Sequence, residues 1–253
     1  MKIYIKILSL VIEFYNNYLY IELRNKGGGK AMTDSKGWDW KQLEGERKKL
    51  WQEPAIEYYY IAERWKNEGF KTALDLGSGL GRHAIALSKD GFKVSAFDIS
   101  EDGMEELKKV SREENLDIDT KIGDMINLPY NDEEFDSIFC YNVVSHQDTS
   151  GVKKVIEEIK RVLKPEGECF LTLQSKSTWG FKQDWPVIDE NTKLKMVPGE
   201  EYKVPHFYAD PDLIRELFKD FSIISLRHIE NFWKKEDGYT SSFHYHVLIK
   251  KDK

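Results

Sequence analysis

The sequence predicts an α/β fold with a seven-stranded, mostly parallel sheet, helices on both faces and an antiparallel last strand. Three observations carry that expectation. From residue 51 onward, short apolar runs alternate with longer amphipathic stretches, the pattern of strands joined by crossover helices. The first of those runs ends in a glycine-rich turn, Gly77-Ser78-Gly79-Leu80-Gly81, that opens a helix. The last two runs are joined by a short polar segment around Asp237-Gly238, too short for a crossover, so they pair antiparallel.

The elements follow in order. An apolar stripe that includes Trp51, Ile56, Tyr59, Tyr60 and Trp65 predicts an amphipathic helix over Trp51 to Lys66. Thr72 to Leu76 reads as the first strand, and Gly81 to Asp90 as a helix stopped by Gly91. Lys93 to Asp98 is the second strand; Ser100 then caps a helix over Glu101 to Asn115. Ile118 to Ile122 and Phe135 to Tyr141 are the third and fourth strands. A helix over Val152 to Leu163 stops near Pro165 and Gly167, before a strand over Glu168 to Leu173. A short helix over Asp212 to Lys219 and two strands, Phe221 to Ile229 and Ser242 to Ile249, close the chain. Residues 175–208 fit neither helix nor strand; a segment this long inside a compact domain reads as an irregular loop on the substrate side.

Composition narrows the function classes. The 253 residues carry a net charge of −6, which disfavours a broad nucleic-acid-binding face, so no DNA partner is expected. Two cysteines, Cys140 and Cys169, offer neither a disulfide framework nor a zinc spacing, which points to a reducing, cytoplasmic setting. Residues 1–31 differ from the rest. Met1 to Leu23 is rich in Ile, Leu, Tyr and Phe, but Glu13, Asn16 and Asn17 interrupt it, so neither a spanning helix nor membrane attachment is expected. Gly27-Gly28-Gly29 lies just before Met32, and three glycine codons can spell a ribosome-binding site. The reading is therefore a domain over residues 32–253 preceded by an extension, 1–31, with Met32 as the start of translation. A nucleotide sequence lacking a purine-rich string before codon 32 would count against it.

The glycine turn carries the strongest functional signal. Glycines let backbone and ligand approach closely, and ligands in open parallel sheets bind beyond the carboxyl ends of the strands. Asp98 ends the next strand, where a carboxylate can accept from both hydroxyls of a ribose. Two details choose among adenosine-containing ligands. A dinucleotide turn reads G-x-G-x-x-G, whereas this one reads G-x-G-x-G. Asp75 lies two residues before the first glycine; a carboxylate there would repel a pyrophosphate and attract the ammonium and sulfonium of S-adenosylmethionine.

At these residues the chain resembles the class I S-adenosylmethionine-dependent methyltransferases, over roughly residues 51–250. Asp75-Leu76-Gly77-Ser78-Gly79-Leu80-Gly81 resembles their first motif, which implies cofactor contacts at Asp75, Gly77, Ser78 and Gly79. Asp98-Ile99 resembles the ribose-binding acid and the residue packed on adenine. Gly123-Asp124-Met125 resembles the third motif, which implies that Asp124 accepts from the adenine amino group while Met125 flanks the ring. Leu128-Pro129-Tyr130 with Phe135-Asp136-Ser137-Ile138, and Arg161-Val162-Leu163-Lys164-Pro165-Glu166-Gly167, resemble the family's approaches to the fourth and fifth strands. The resemblance implies a Rossmann-like fold and methyl transfer from S-adenosylmethionine. Gly81-Arg82-His83 and Gly91-Phe92-Lys93-Val94 are also similar to the tellurite-resistance methyltransferase branch.

Around that core, Asn142 and His146 follow the fourth strand, where donor and acceptor contacts fall; Asn142 is the candidate cofactor contact and His146 the candidate catalytic base. Arg82 reads either as a contact to the donor or as a surface ion pair, with the ion pair preferred. Tyr58 to Tyr60 and the tryptophans of residues 175–208 read either as acceptor lining or as core. His244 and His246 share a strand face, but no third ligand has recognisable spacing, so no metal is expected. The function expected is methyl transfer to a small-molecule acceptor, with protein or RNA methylation, or a non-catalytic cofactor-binding module, as rivals.

Overall fold

The computed structural model describes residues 35, 38, 40, 45–199, 201–235 and 238–253. The expectation about residues 1–31 and Met32 lies outside the described residues, as do residues 236–237 of the last turn.

The order of elements is α1 (Gly45–Leu50), α2 (Ile56–Asn67), β1 (Thr72–Leu76), α3 (Arg82–Lys89), β2 (Lys93–Asp98), α4 (Glu101–Glu113), β3 (Ile118–Ile122), β4 (Phe135–Cys140), α5 (Thr149–Val162), β5 (Leu163–Ser175), β6 (Val187–Asp189), β7 (Thr192–Leu194), β8 (Pro205–Ala209), α6 (Pro211–Leu217), β9 (Ser222–Lys235) and β10 (Gly238–Lys250). The main sheet runs β3-β2-β1-β4-β5-β10-β9. The first five strands pair parallel, and β10 lies antiparallel between β5 and β9. The sequence predicts these seven strands with the last one reversed; the observed sheet has ten, because β8, β7 and β6 add on from the end of β5. Strand order reverses between β1 and β4, which opens a crevice at their carboxyl ends.

Both faces are buried because strand residues alternate between two cores. On β4, Ile138 and Cys140 join one cluster with Val155, Ile159 and Phe218, while Phe139 joins the other with Ile61, Trp65 and Leu87. Helices α5 and α6 therefore cover one face, and α2, α3 and α4 the other. Ser100, the cap read from the sequence, accepts from Gly103 N–H at 3.2 Å, and Asp148 caps α5 by accepting from Gly151 N–H at 2.8 Å. Asp148 starts α5 three residues earlier than hydrophobic periodicity alone suggests. Helix α2 starts at Ile56 rather than at Trp51: Ala55 is an extended N-cap, and Pro54 disfavours helix at Glu53 before it.

Residues 175–208 are more ordered than the sequence indicates. Trp179–Lys182 form a 3-10 turn, β6 and β7 form a small antiparallel hairpin, and β8 pairs with both β7 and the end of β5. Strands of three residues have no readable period, and their register comes from the edge of β5 (Gln174 opposite Tyr208, Ser175 opposite Ala209). Asp189 pins the hairpin to α5 by accepting from Thr149 N–H at 3.0 Å and from Thr149 Oγ1–H at 2.7 Å.

One buried ion pair ties α2 to the sheet. Glu168 on β5 is 1% exposed and accepts from Arg64 Nε at 2.9 Å, Arg64 Nη2 at 2.6 Å and Trp65 Nε1 at 3.2 Å. Losing one partner of a fully buried pair costs about 3–5 kcal/mol. The Arg64 side chain is 38% exposed, so water replaces part of the loss. Arg64→Ala should therefore destabilise the fold by about 2–3 kcal/mol in urea denaturation, an effect absent from surface pairs such as Arg215–Asp212.

Candidate active site

The crevice is assembled from the turns after β1, β2, β3 and β4. The chain leaves β1 through Gly77, whose N–H donates to Phe97 O at 2.7 Å, so the turn is fastened to the neighbouring strand. Gly77 has φ +75°, and a Cβ there would lie 2.4 Å from Val143 Cγ2. Gly81 has φ +83°, and a Cβ there would lie 2.3 Å from Leu107 Cδ1. Both positions demand glycine, for backbone handedness and for space. Gly77, Ser78 and Gly79 line the cleft, and Ser78 Oγ–H donates to Met104 Sδ at 3.3 Å.

Asp98 sits at the end of β2, lines the cleft and is 9% exposed. Its Oδ2 accepts from Gly79 N–H and its Oδ1 from Ser100 N–H, each at 2.8 Å. Each oxygen keeps a second lone pair, so the carboxylate is fixed in orientation and still able to accept. Burial pushes its carboxyl up, against those backbone N–H groups. Ile99, Asp124 and Met125 line the same cleft; Asp124 Oδ1 accepts from Ile126 N–H at 3.2 Å. Two carboxylates near the ends of neighbouring strands, with apolar Ile99 and Met125 lining the same cleft, match a hydroxyl-bearing sugar joined to a flat base carrying an amino group. The residues present thus fit an adenosine moiety.

The structure places Asp75 differently from the sequence reading. Asp75 is 1% exposed and is not among the residues lining the cleft. Its Oδ2 accepts from Ala84 N–H at 2.8 Å, so it holds the first turn of α3 against β1. Leu74 and Leu76 pack on one face of the strand, and alternation sends Asp75 to the other, beneath α3. Its side chain thus holds the start of the helix that follows the glycine turn. Burial pushes its carboxyl up to about 7, against the Ala84 bond and the positive charge of Arg82.

Arg82 is also relocated. It lines the cleft, its guanidinium lies 4.7 Å from the Trp51 ring centroid and 5.5 Å from that of Tyr141, and Nη1 donates to Glu53 O at 3.2 Å. It braces a tryptophan wall. Trp38 and Trp40 complete that wall, with ring centroids 4.7 and 5.8 Å from that of Trp51. His83 lines the cleft as well; its Nε2 accepts from Ala55 N–H at 3.1 Å, and burial holds its pKa well below the usual imidazole value.

Asn142 and His146 stand between this cleft and a second cavity of about 620 Å³; both residues, with Trp38 and Trp51, line the two. Asn142 has φ 59°, held by its N–H donating to Thr172 Oγ1 at 2.7 Å and by Thr172 Oγ1–H donating to Asn142 Oδ1 at 2.9 Å. The second cavity takes its far walls from residues 175–208: Trp179, Trp185, Tyr208, His206 and Glu201. Glu201 is a site residue that sequence reasoning misses. Its Oε1 lies 3.3 Å from His146 Nε2 and its Oε2 3.3 Å from His206 Nε2; Lys195 Nζ also contacts Oε2. Burial alone would raise its carboxyl, but the contacts with His146 and His206 hold it far below the usual carboxylate range. Of the remaining aromatics, Tyr58 belongs to the core, its hydroxyl donating to Asp90 at 2.5 Å, while Tyr59 and Tyr60 are exposed; none of the three lines either cavity. His244 lines the second cavity, whereas His246 is buried with Nδ1 3.3 Å from Glu57.

Fold and cleft together are those of an S-adenosylmethionine-dependent methyltransferase, with S-adenosylmethionine as the methyl donor. Residues 73–167 match a family model described as a methyltransferase domain. The chain is 24% identical over 221 residues to the ubiquinone biosynthesis O-methyltransferase of Klebsiella pneumoniae, covering 84% of this chain and 89% of that one. It is 26% identical over 181 residues to the tRNA U34 carboxymethyltransferase of Campylobacter curvus, covering 68% of this chain and 56% of that one. Among solved structures, TehB from Haemophilus influenzae superposes with a TM-score of 0.59 at 21% identity, covering 77% of this chain and 62% of that one. Among the described residues, no helix is long and apolar enough to cross a membrane.

Proposed function

We propose that the methyl group passes to a small organic molecule held in the second cavity. The observation that carries this reading is the shared wall: Asn142 and His146 line both the donor cleft and a cavity of about 620 Å³ faced with Trp179, Trp185 and Tyr208. That size and lining suit an organic ligand rather than a polymer. Asp98 accepts from the ribose hydroxyls, Asp124 from the adenine amino group, and Ile99 and Met125 sandwich the ring. Gly77, Ser78 and Gly79 give the amino-acid end close backbone approach, and Asn142 contacts it from the opposite side. Bound S-adenosylmethionine supplies a methyl group already activated by its sulfonium. The chain aligns the acceptor and excludes water behind Trp38 and Trp51, and alignment of this kind contributes up to about 7–11 kcal/mol. His146, oriented by Glu201, takes the acceptor's proton where there is one to remove. The buried free thiols of Cys140 and Cys169 suit a reducing cytoplasm.

RNA methylation is the second reading, favoured by the likeness to a tRNA-modifying protein. The protein is incubated with methyl-labelled S-adenosylmethionine and either a panel of phenols, heterocycles and thiols, or total RNA, or total protein. Label in small molecules is the expected result. Label in RNA or protein alone would overturn the reading, and binding of the donor with no transfer to any fraction would mark a non-catalytic module.

A further inference from the structure

Three side chains from separate segments converge on the wall of the second cavity. His146 follows β4, Glu201 lies between β7 and β8, and His206 is on β8; one ligating atom from each lies within 4.8 Å of the other two. His146 Nε2 lies 3.3 Å from Glu201 Oε1 and His206 Nε2 lies 3.3 Å from Glu201 Oε2, so the carboxylate offers one oxygen toward each imidazole. Around a zinc-class ion bonded at ~2.0–2.1 Å, tetrahedral ligand atoms stand about 3.3–3.4 Å apart.

The tautomer of His206 sharpens the argument. Its Nδ1 lies 3.1 Å from Val204 O, and a carbonyl only accepts, so Nδ1 carries the proton. In the neutral ring, Nε2 then presents a bare lone pair to carboxylate oxygen Oε2. Those lone pairs repel unless something positive sits between them, either a second ring proton or a metal ion. An imidazole whose Nδ1–H is tied to a backbone carbonyl and whose Nε2 is free has the arrangement of a metal-ligating histidine. His244, on the same cavity wall, has a buried Nδ1 with no hydrogen-bond partner.

We propose that His146, Glu201 and His206 bind a divalent transition-metal ion of the zinc class, with one coordination position open to the cavity. Two imidazoles and one carboxylate with an open position make a ligand set suited to catalysis rather than to structure. The site deepens the acceptor reading, on which its use rests: with the metal bound, His146 serves as a ligand instead of as the base, and the acceptor is a hydroxyl or thiol compound that takes the open position and releases its proton to solvent. Local spacing in the sequence could not show it, because the three ligands meet only through the β7–β8 pairing and the turn after β4. Lys195 is the competing cation, since its ammonium contacts Glu201 Oε2.

The full-length chain, stripped with a chelator and exchanged into metal-free buffer, is titrated with Co²⁺ and with Zn²⁺ alone. Calorimetry and the cobalt visible spectrum serve as readouts. One equivalent per chain with tetrahedral-type cobalt absorption is expected. Glu201→Gln and His206→Ala should each weaken binding at least tenfold, while Lys195→Met should strengthen it. Substoichiometric binding, or variants that bind like the parent, would overturn the proposal in favour of a protonated His206 bridging the carboxylate. The wild-type titration decides even where a variant fails to fold. The readout needs no acceptor, so a failed acceptor panel and a failed titration each sink a different claim.

Discussion

Asp98→Ala weakens S-adenosylhomocysteine binding about a hundredfold or more, and His146→Ala changes it by less than about threefold. The first figure follows from counting bonds. Hydrogen bonds to a charged group contribute about 1.5–3 kcal/mol each, and two ribose hydroxyls facing one fixed carboxylate give about 3–6 kcal/mol before relaxation. The alanine also frees the N–H groups of Gly79 and Ser100, which Asp98 fixes at 2.8 Å, so the glycine turn loosens with it. His146 touches the donor cleft only at the edge it shares with the second cavity, so its loss should show in turnover instead. Calorimetry on both variants, with Asp98→Asn as a milder control for folding, measures the contrast. Equal losses, or a larger loss at His146, would falsify the assignment of Asp98 to the ribose.

The donor side was legible because its geometry is local. Gly77, Gly79 and Gly81 stand within five residues, and each has the positive φ that a tight strand-to-helix turn requires. Asp98 and Asp124 mark the ends of neighbouring strands, so strand boundaries alone bring them to one edge of the sheet. The acceptor side was not legible. Glu201 is one acidic residue in a polar stretch, and nothing near it in the chain marks it as buried. It becomes a site residue because β8 adds to the free end of β5 and carries residues 195–208 over the turn after β4. Asp75 falls between these cases. Its position is readable from the motif, and its direction only from its neighbours: Leu74 and Leu76 on either side require it to face the opposite core.

Asp75→Asn should remove a pH dependence of stability that the parent shows between about pH 4 and pH 7. The carboxyl is buried beneath α3 and pushed up to about 7, from an ordinary value of 3.8. Within that window the folded state binds a proton that the unfolded state has released. Stability therefore falls as pH rises from near 4, and the penalty is complete above 7. A shift of about three units corresponds to roughly 4 kcal/mol in full, of which about 2–3 kcal/mol develops between pH 5 and pH 8. The asparagine amide oxygen can still accept from Ala84 N–H, so the helix start survives the exchange. Comparing parent and variant by urea denaturation at both pH values cancels the other titrating groups. The variant should gain about 2–3 kcal/mol relative to the parent on going from pH 5 to pH 8. A constant difference would mean that the carboxyl titrates normally. A charged sulfur nearby would also favour the ionised form, so affinity for S-adenosylmethionine relative to S-adenosylhomocysteine should rise from pH 6 to pH 8 in the parent and stay flat in Asp75→Asn. A flat ratio in both would reduce Asp75 to a support for the glycine turn and leave Asp98 as the principal acidic determinant of donor binding.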